Sequence, residues 1–321
     1  MFEEQEKLKF SPIVLFVYKR LDHVTRVVEA LRRNPEAKDS ILYIYSDAPA
    51  KEEDKEGVWQ VRDYIKKIEG FADVIIIERD KNWGIEKSEI DGISSVLKKH
   101  ETIIVIEDDI EVSDQFLKYM NYCLSEYKNN KGIYTITGYS FLKSLPEYDG
   151  KYGLTRSFAA WGWGTWRDRW QNFKHELTKE DLKFVMHHKK KLDNGEDFSY
   201  LLMHQYKEDS LTWDVMWYYS CFFNGGRTLF PYNTLVNNIG MDGSGVHYNG
   251  ESDKNRIEAI NERKEIVFPL LIKDINDTAS ILVKEKQNLD KKSFIKAIKM
   301  TMRFWLDGLC LVLFGEKSRK I

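Results

Sequence analysis

The chain has little cysteine: Cys123, Cys221 and Cys310 are the three in 321 residues. They are widely spaced and odd in number, which excludes a disulfide framework or a zinc-type spacing and suits a reducing compartment. No apolar run approaches the length of a membrane span. The first ten residues are charged and carry no apolar core of the signal-peptide kind, so the expected location is cytoplasmic. Charge of one sign is lacking too: 49 Lys and Arg against 51 Asp and Glu leave a formal net charge of −2, and nothing in that balance demands nucleic acid as a partner. There is no G-x-G-x-x-G after the first apolar run and no G-x-x-x-x-G-K-S/T, which sets aside the dinucleotide fold and the P-loop. Repeats and low-complexity tracts are absent. What remains is 42% hydrophobic and 31% charged, with 9 Trp, 17 Tyr and 17 Phe. That is enough for one large α/β domain with an appendage, or for two domains.

The most informative stretch is 102–110. Ile103 to Ile106 is a continuous apolar run, as in a strand buried on both faces, and it ends in Glu107, Asp108 and Asp109. So much like charge at a buried strand end needs a cation or hydrogen-bond donors. The carboxyl end of a parallel strand is where open α/β sheets bind ligands, so the stretch reads as a metal and phosphate site. The alternative is that the acids cap the next helix. Ser113, before Asp114 and the apolar set Leu117, Met120, Leu124 and Tyr127, is the expected N-cap instead.

Strand and helix patterns alternate up to this point. Strands are expected at Ile13–Val17, Ile41–Tyr45 and Val74–Ile77, with the run at 103–106 as the fourth and Ile133–Thr137 as a fifth. Helices follow from the stripes Val24, Val27, Val28, Leu31 and Val58, Val61, Ile65, Ile68; a third is expected over 88–99, with Ile90, Ile93 and Leu97 inward. The pattern argues a right-handed, mostly parallel sheet with helices on both faces. Lys19, Arg20, Asp47, Asn82, Lys87, Asp108 and Asp109 all fall at or just past strand ends. Singly each has an ordinary explanation: Asp47 as a turn residue, Lys19 and Arg20 as solvated charges. Their shared position makes them binding candidates.

Beyond the fifth strand, tryptophans alternate with glycines at 161–164, inside a segment that ends at Trp170. The rings are either packed core or a platform at the rim of a sugar pocket, and Arg167 and Arg169 serve phosphate or cover the rings. Residues 178–210 read as helical and polar, with His187, His188 and His204 on the surface. A helix is expected over 212–226, with Thr212 at the N-cap and Gly225 past its end. Asp214 then lies in the first turn, either complementing the helix dipole or acting as general base. The glycine-rich loop 240–248 can order over a ligand, and His247 at its end is a metal or phosphate contact or a satisfied loop histidine. Residues 251–292 read as a connecting segment. Ile295, Ile298, Met302, Trp305 and Leu309 form a stripe flanked by basic residues in 293–321, as in a helix lying in a membrane interface or docking on protein.

This constellation resembles the GT-A glycosyltransferases over roughly residues 11–250. Residues 105–116, with their Glu-Asp-Asp core, resemble the N-acetylglucosaminyltransferase I type, and the Trp-Gly segment resembles a group of bacterial sugar transferases. The resemblance implies a GT-A catalytic domain over 1–250, with a nucleotide-sugar half at about 11–137 and an acceptor half at 138–250. It implies transfer of a sugar from a nucleotide-sugar, UDP-linked by analogy, to a glycan or glycoconjugate hydroxyl, with inversion and with Mn2+ or Mg2+ as cofactor. Asp109 would bind the metal, Asp108 the ribose or sugar, Asp47 the base, and Arg20 the base or phosphate. Asp214 would be the catalytic base; the related type reads Trp-Asp-Asp where this chain has Trp213, Asp214 and Val215. Lys87 and His247 complete the expected donor contacts. Two other functions compete. A sugar nucleotidyltransferase usually carries a glycine-rich basic loop after its first strand, which this chain lacks. A non-catalytic carbohydrate-binding protein would use the tryptophans and ignore nucleotide and metal.

Overall fold

The computed structural model describes residues 10–141, 151–193, 197–208, 212–240, 266 and 271–272. His247 and the expected helix over 293–321 lie outside the described residues, as does most of 251–292. Among the described residues no helix is long and apolar enough to cross a membrane.

The apolar runs become strands and the 3.6-period stripes become helices. The first half runs β1 (Ile13–Val17), α1 (Leu21–Arg33), β2 (Ile41–Ser46), α2 (Lys55–Ile65), β3 (Asp73–Glu78), α3 (Gly84–Leu97), β4 (Thr102–Glu107), β5 (Ile110–Val112), α4 (Phe116–Glu126) and β6 (Ile133–Thr137). The second half runs β7 (Lys151–Thr155), β8 (Trp163–Trp166), α5 (Arg167–Trp170), α6 (Lys179–Asp193), α7 (Phe198–Glu208), α8 (Trp213–Phe223), β9 (Arg227–Pro231), β10 (Val236–Asn238) and β11 (Leu271–Ile272). Among the described residues nine strands form one sheet in the order β11-β7-β9-β6-β8-β4-β1-β2-β3, and β10 pairs with β5 in a small second sheet. The β3-β2-β1-β4 part is parallel throughout. Beyond β4 the sheet is mixed, because β8 is antiparallel to both β4 and β6.

One core cluster holds the apolar faces of α1, α2 and α4, with Val27, Val61 and Leu117 among them. The other holds those of α3, α6 and α8, including Ile93, Val185 and Trp217. The chain therefore covers one face of the sheet with α1 and α2, then crosses to the other with α3 on its way to β4. That reversal falls between β1 and β4, and their carboxyl ends flank the switch-point crevice.

Two expectations need correction. Ser113 is not an N-cap. A short strand, β5, follows the acidic triplet, and α4 starts at Phe116 after Gln115, with no side-chain cap bond. The Ser113 hydroxyl is buried without a partner among the described residues. The inference that the acids do not cap α4 holds all the same, since β5 separates them from it. Helix α3 begins at Gly84 rather than 88, because Asp47 reaches across from the end of β2 to bond its first amides. Within 178–210 the described residues form α6 and α7, as the helical reading expects. Of the two readings of the Trp-Gly segment, packed core holds for most of it. Trp163 and Trp166 lie in strand β8, and Gly164 lets that strand approach β4: a Cβ there would meet the Ile103 carbonyl oxygen at 2.6 Å. Trp163, Trp166 and Trp170 are buried, and Trp163 stacks on Trp213 at 5.6 Å between ring centres. Trp161 alone of the four is half-buried, edge-on to Tyr139 at 4.7 Å. Arg169 is buried and bonds the carbonyls of Lys128 and Asn130, with its guanidinium 4.3 Å from the Trp166 ring centre, so it covers a ring.

Candidate active site

Residues from five elements meet at the switch point. Arg20, between β1 and α1, reaches both acids past β4: its Nη2 donates to Asp108 Oδ1 and, at 2.9 Å, to Asp109 Oδ2. The backbone N–H of Tyr18 also points to Asp108, at 3.4 Å. Burial opposes the charge on Arg20, yet Asp108 and Asp109 hold its guanidinium above the usual arginine range. Burial raises the Asp108 carboxyl even against that partner.

Asp109 is satisfied on one side only. Its Oδ1 is buried and has no hydrogen-bond partner among the described residues. Its backbone carbonyl accepts from Ile239 N at 2.9 Å, which brings the chain after β10 over the site. Gly240 lies so close that a Cβ there would sit 2.2 Å from Asp109 Oδ2 and 3.1 Å from Arg20 Nη1. A glycine is required here by close approach rather than by backbone angle.

Two further carboxylates come from α3. Glu89 is fully buried, and neither of its oxygens has a partner among the described residues. Burial, then the nearby Glu107, Asp214, Glu86 and Asp109, push its carboxyl well above the usual range. Glu107 is raised in the same way by burial and by Asp109, Asp108 and Asp214. Glu86 accepts the backbone N–H of Trp213, the first residue of α8, where Thr212 makes no side-chain cap bond. Burial raises the Glu86 carboxyl to about 7, the Trp213 bond opposes this, and Asp214 adds to it. Asp214 itself accepts from Val215 N at 2.8 Å.

The structure thus brings Arg20, Asp108, Asp109 and Asp214 into one electrostatically coupled group. Asp47 and Lys87 stand to one side. The Asp47 carboxylate takes backbone N–H bonds from Ala48, Trp83 and Gly84, each at 2.9 Å in its shortest contact. It shapes the β2 loop and caps α3 in trans. Lys87 Nζ lies 4.2 Å from the centre of the Trp83 ring, and Arg79 covers the same ring at 3.9 Å. Arg62 gathers the carbonyls of Ser46, Asp47 and Arg79, tying together the ends of β2 and β3. Lys19 bonds Asp54 at 2.6 Å, away from the acidic group.

Glu86 and Glu89 escaped the sequence reading. The signal was present: continuing the inward stripe of Leu97, Ile93 and Ile90 toward the start of α3 reaches Glu89 and Glu86. Two acids on a buried stripe are as informative as three at a strand end.

Buried carboxylates in this number need positive charge when all are ionised. Among the described residues, no three Asp, Glu, His or Cys side chains are gathered as a metal cage. The donor chemistry still fits a hard divalent cation, since Mg2+ in particular is often held by one or two carboxylates with substrate phosphates completing its shell. The orphaned Asp109 Oδ1 is the atom suited to it.

No family model matches the chain, and no curated protein sequence matches it. Several solved structures resemble it in shape. TarS from S. aureus is 12% identical over 71% of this chain, with a TM-score of 0.39; the match spans 36% of the TarS chain, so this protein corresponds to about a third of its length. The mannosyltransferase PcManGT from Pyrobaculum calidifontis, solved with GDP-Man and Mn2+, is 8% identical over 96% of this chain and 89% of its own, with a TM-score of 0.42. A UDP-glucose pyrophosphorylase complexed with UDP-glucose is 10% identical over 51% of this chain and 78% of its own, with a TM-score of 0.31. At these identities and scores, function has to be argued from the site.

Proposed function

We propose that this chain is a metal-dependent glycosyltransferase of the GT-A type. It would move a sugar from a nucleotide-sugar, UDP-linked in the first instance, to a hydroxyl of a glycan or glycoconjugate, with inversion at the anomeric carbon. The observation that carries this is the convergence of Asp109, Glu107, Glu89 and Asp214 on the β1/β4 switch point, with Asp109 Oδ1 orphaned.

Asp109 would hold the cation, and Glu107 and Glu89 would add negative field around it. When bound, a divalent cation supplies charge neutralisation for a diphosphate leaving group. Arg20 restrains Asp108 and Asp109, and its charge faces the same region as the phosphates would. Asp108 is the candidate for ribose or sugar hydroxyls. Asp47 builds the loop at which a base would lie, with Lys87 and the Trp83 ring beside it. In the transfer, the acceptor oxygen bonds the anomeric carbon, and the bond to the diphosphate breaks with its electron pair. The acceptor proton passes to Asp214. A carboxylate suffices as base, because the hydroxyl proton becomes acidic only as the new bond forms. The start of α8 and the Val215 N–H hold that carboxylate in place.

The test is product analysis. The chain is incubated with UDP-, GDP-, CDP- and dTDP-sugars and Mn2+, and the nucleotide released is identified. Release of nucleoside diphosphate, lost in Asp214→Asn, is expected. Formation of sugar 1-phosphate would move the protein to the nucleotidyltransferases. No turnover together with metal-independent glycan binding would make it a carbohydrate-binding protein. A retained anomeric configuration in the product would sink the inverting step.

A further inference from the structure

At the other end of the sheet two arginines lie close together, and among the described residues no carboxylate pairs with either. The antiparallel register of β7 and β9 runs from Tyr152 opposite Pro231 to Thr155 opposite Thr228. Arg156 follows directly, just past β7, and Arg227 is the first residue of β9, so the two charges lie close enough to act on one another. Like charges held close together are destabilising. Both residues are only half-buried, but Arg227 Nη1 is buried and has no hydrogen-bond partner among the described residues. Partial burial and the neighbouring Arg156 both pull Arg227 below the usual arginine range. The nearby acid is already engaged. The Arg227 backbone N–H bonds the Gly132 carbonyl at 2.9 Å, and on that same loop Lys131 holds Asp168, which Arg169 also binds.

This pair lies far from the catalytic chemistry in topology. Strand β9 is parallel to β6, and β6 and β4 are both antiparallel to β8. Arg227 at the start of β9 is therefore at the amino-terminal end of the sheet, whereas Glu107–Asp109 close the carboxyl end. The donor diphosphate cannot bridge the two.

We propose that Arg156 and Arg227 form a second anion site, specific for a phosphate group. Two guanidinium forks offer parallel N–H donors to one dianion, an arrangement Arg serves better than Lys. The orphaned Nη1 of Arg227 gains its missing acceptor, and the repulsion between the arginines is cancelled. The partial exposure of both side chains gives the ligand its entry. The phosphate is either free or the headgroup of a lipid, and the inference does not depend on the glycosyltransferase assignment.

The full-length chain is melted in sodium phosphate and in sodium chloride of matched ionic strength, as wild type, Arg156→Gln and Arg227→Gln. Phosphate should raise the wild-type midpoint saturably by about 2–4 °C. Arg156→Gln and Arg227→Gln should abolish that rise and themselves melt above wild type in chloride, since the repulsion is gone. The response to nucleotide with Mn2+ should be unchanged in both. If Arg227→Gln fails to fold, Arg156→Gln carries the test, because that residue lies past the end of its strand. Flotation with phosphatidic acid vesicles against phosphatidylcholine vesicles separates the sources. Vesicle binding that phosphate competes away assigns a headgroup, and a phosphate response without vesicle binding assigns a free phosphate. A flat wild-type response to phosphate, or one equal in Arg156→Gln, overturns the site.

Discussion

Replacing Glu86 tests how the α3 acids are held. Its Oε2 accepts the Trp213 N–H at the start of α8, so one side chain joins the two helices beside Asp214. Burial raises its carboxyl from the ordinary 4.5 to about 7. A raised carboxyl means that the folded state binds the proton more tightly than the unfolded chain. Stability therefore falls as pH rises from about 4.5 to 7, and the whole penalty is present above that window. Taken at face value the rise corresponds to about 3 kcal/mol. Partial exposure and solvent screening reduce it to about 1–2 kcal/mol. Glu86→Gln removes the charge and keeps an acceptor for Trp213 N–H. It should be more stable than wild type by about 1–2 kcal/mol near pH 8 and equal to it near pH 4. Glu86→Ala loses the acceptor as well, which costs about 1 kcal/mol and cancels much of the gain. Urea unfolding followed by circular dichroism across that range gives the difference directly. A Glu86→Gln variant that tracks wild type at every pH, or is the weaker near pH 8, would refute the reasoning.

Other outcomes follow from the same geometry. Gly240→Ala drives a methyl to within 2.2 Å of Asp109 Oδ2, so the carboxylate must swing away and break its 2.9 Å bond to Arg20. Metal-dependent nucleotide affinity should drop about tenfold or more, while the urea midpoint moves little, as calorimetric titration would show. Asp214→Asn should lower kcat about 10²–10⁴-fold and leave nucleotide affinity unchanged in the same titration, because the amide accepts no proton. Trp163→Ala empties the centre of the tryptophan cluster and should cost about 3–5 kcal/mol in urea unfolding. Trp163→Phe should cost less, since its indole N–H has no partner to lose.

The first half of the fold was legible because β1 and β4 are buried on both faces and its helices on one. Ile13–Val17 and Ile103–Ile106 are unbroken apolar runs, and Val24, Val27, Val28 and Leu31 form a clean stripe. The second half was not, because its determinants are long-range. Trp163–Trp166 is too short to show a period-two pattern, and the contact of Gly164 with β4 shows why the segment is a strand. Strand β5 is three residues long and exists by pairing with β10, more than a hundred positions away in sequence. In the site, Asp108 and Asp109 stood out as charges ending an apolar run, and Arg20 by its place after β1. Asp47 was correctly placed at a strand end, but its bonds to the start of α3 depend on where β3 and α3 meet. Glu86 and Glu89 were hidden because acids in a helix are ordinarily solvated.

The central claim is that Asp109 and its neighbours bind a nucleoside diphosphate together with a cation. The most direct measurement is the melting temperature with UDP, GDP, CDP or dTDP, each with and without Mn2+, for wild type and Asp109→Ala. The account predicts a rise for one nucleotide that requires the metal and disappears in Asp109→Ala. A rise that ignores the metal, or that survives the loss of Asp109, would contradict it.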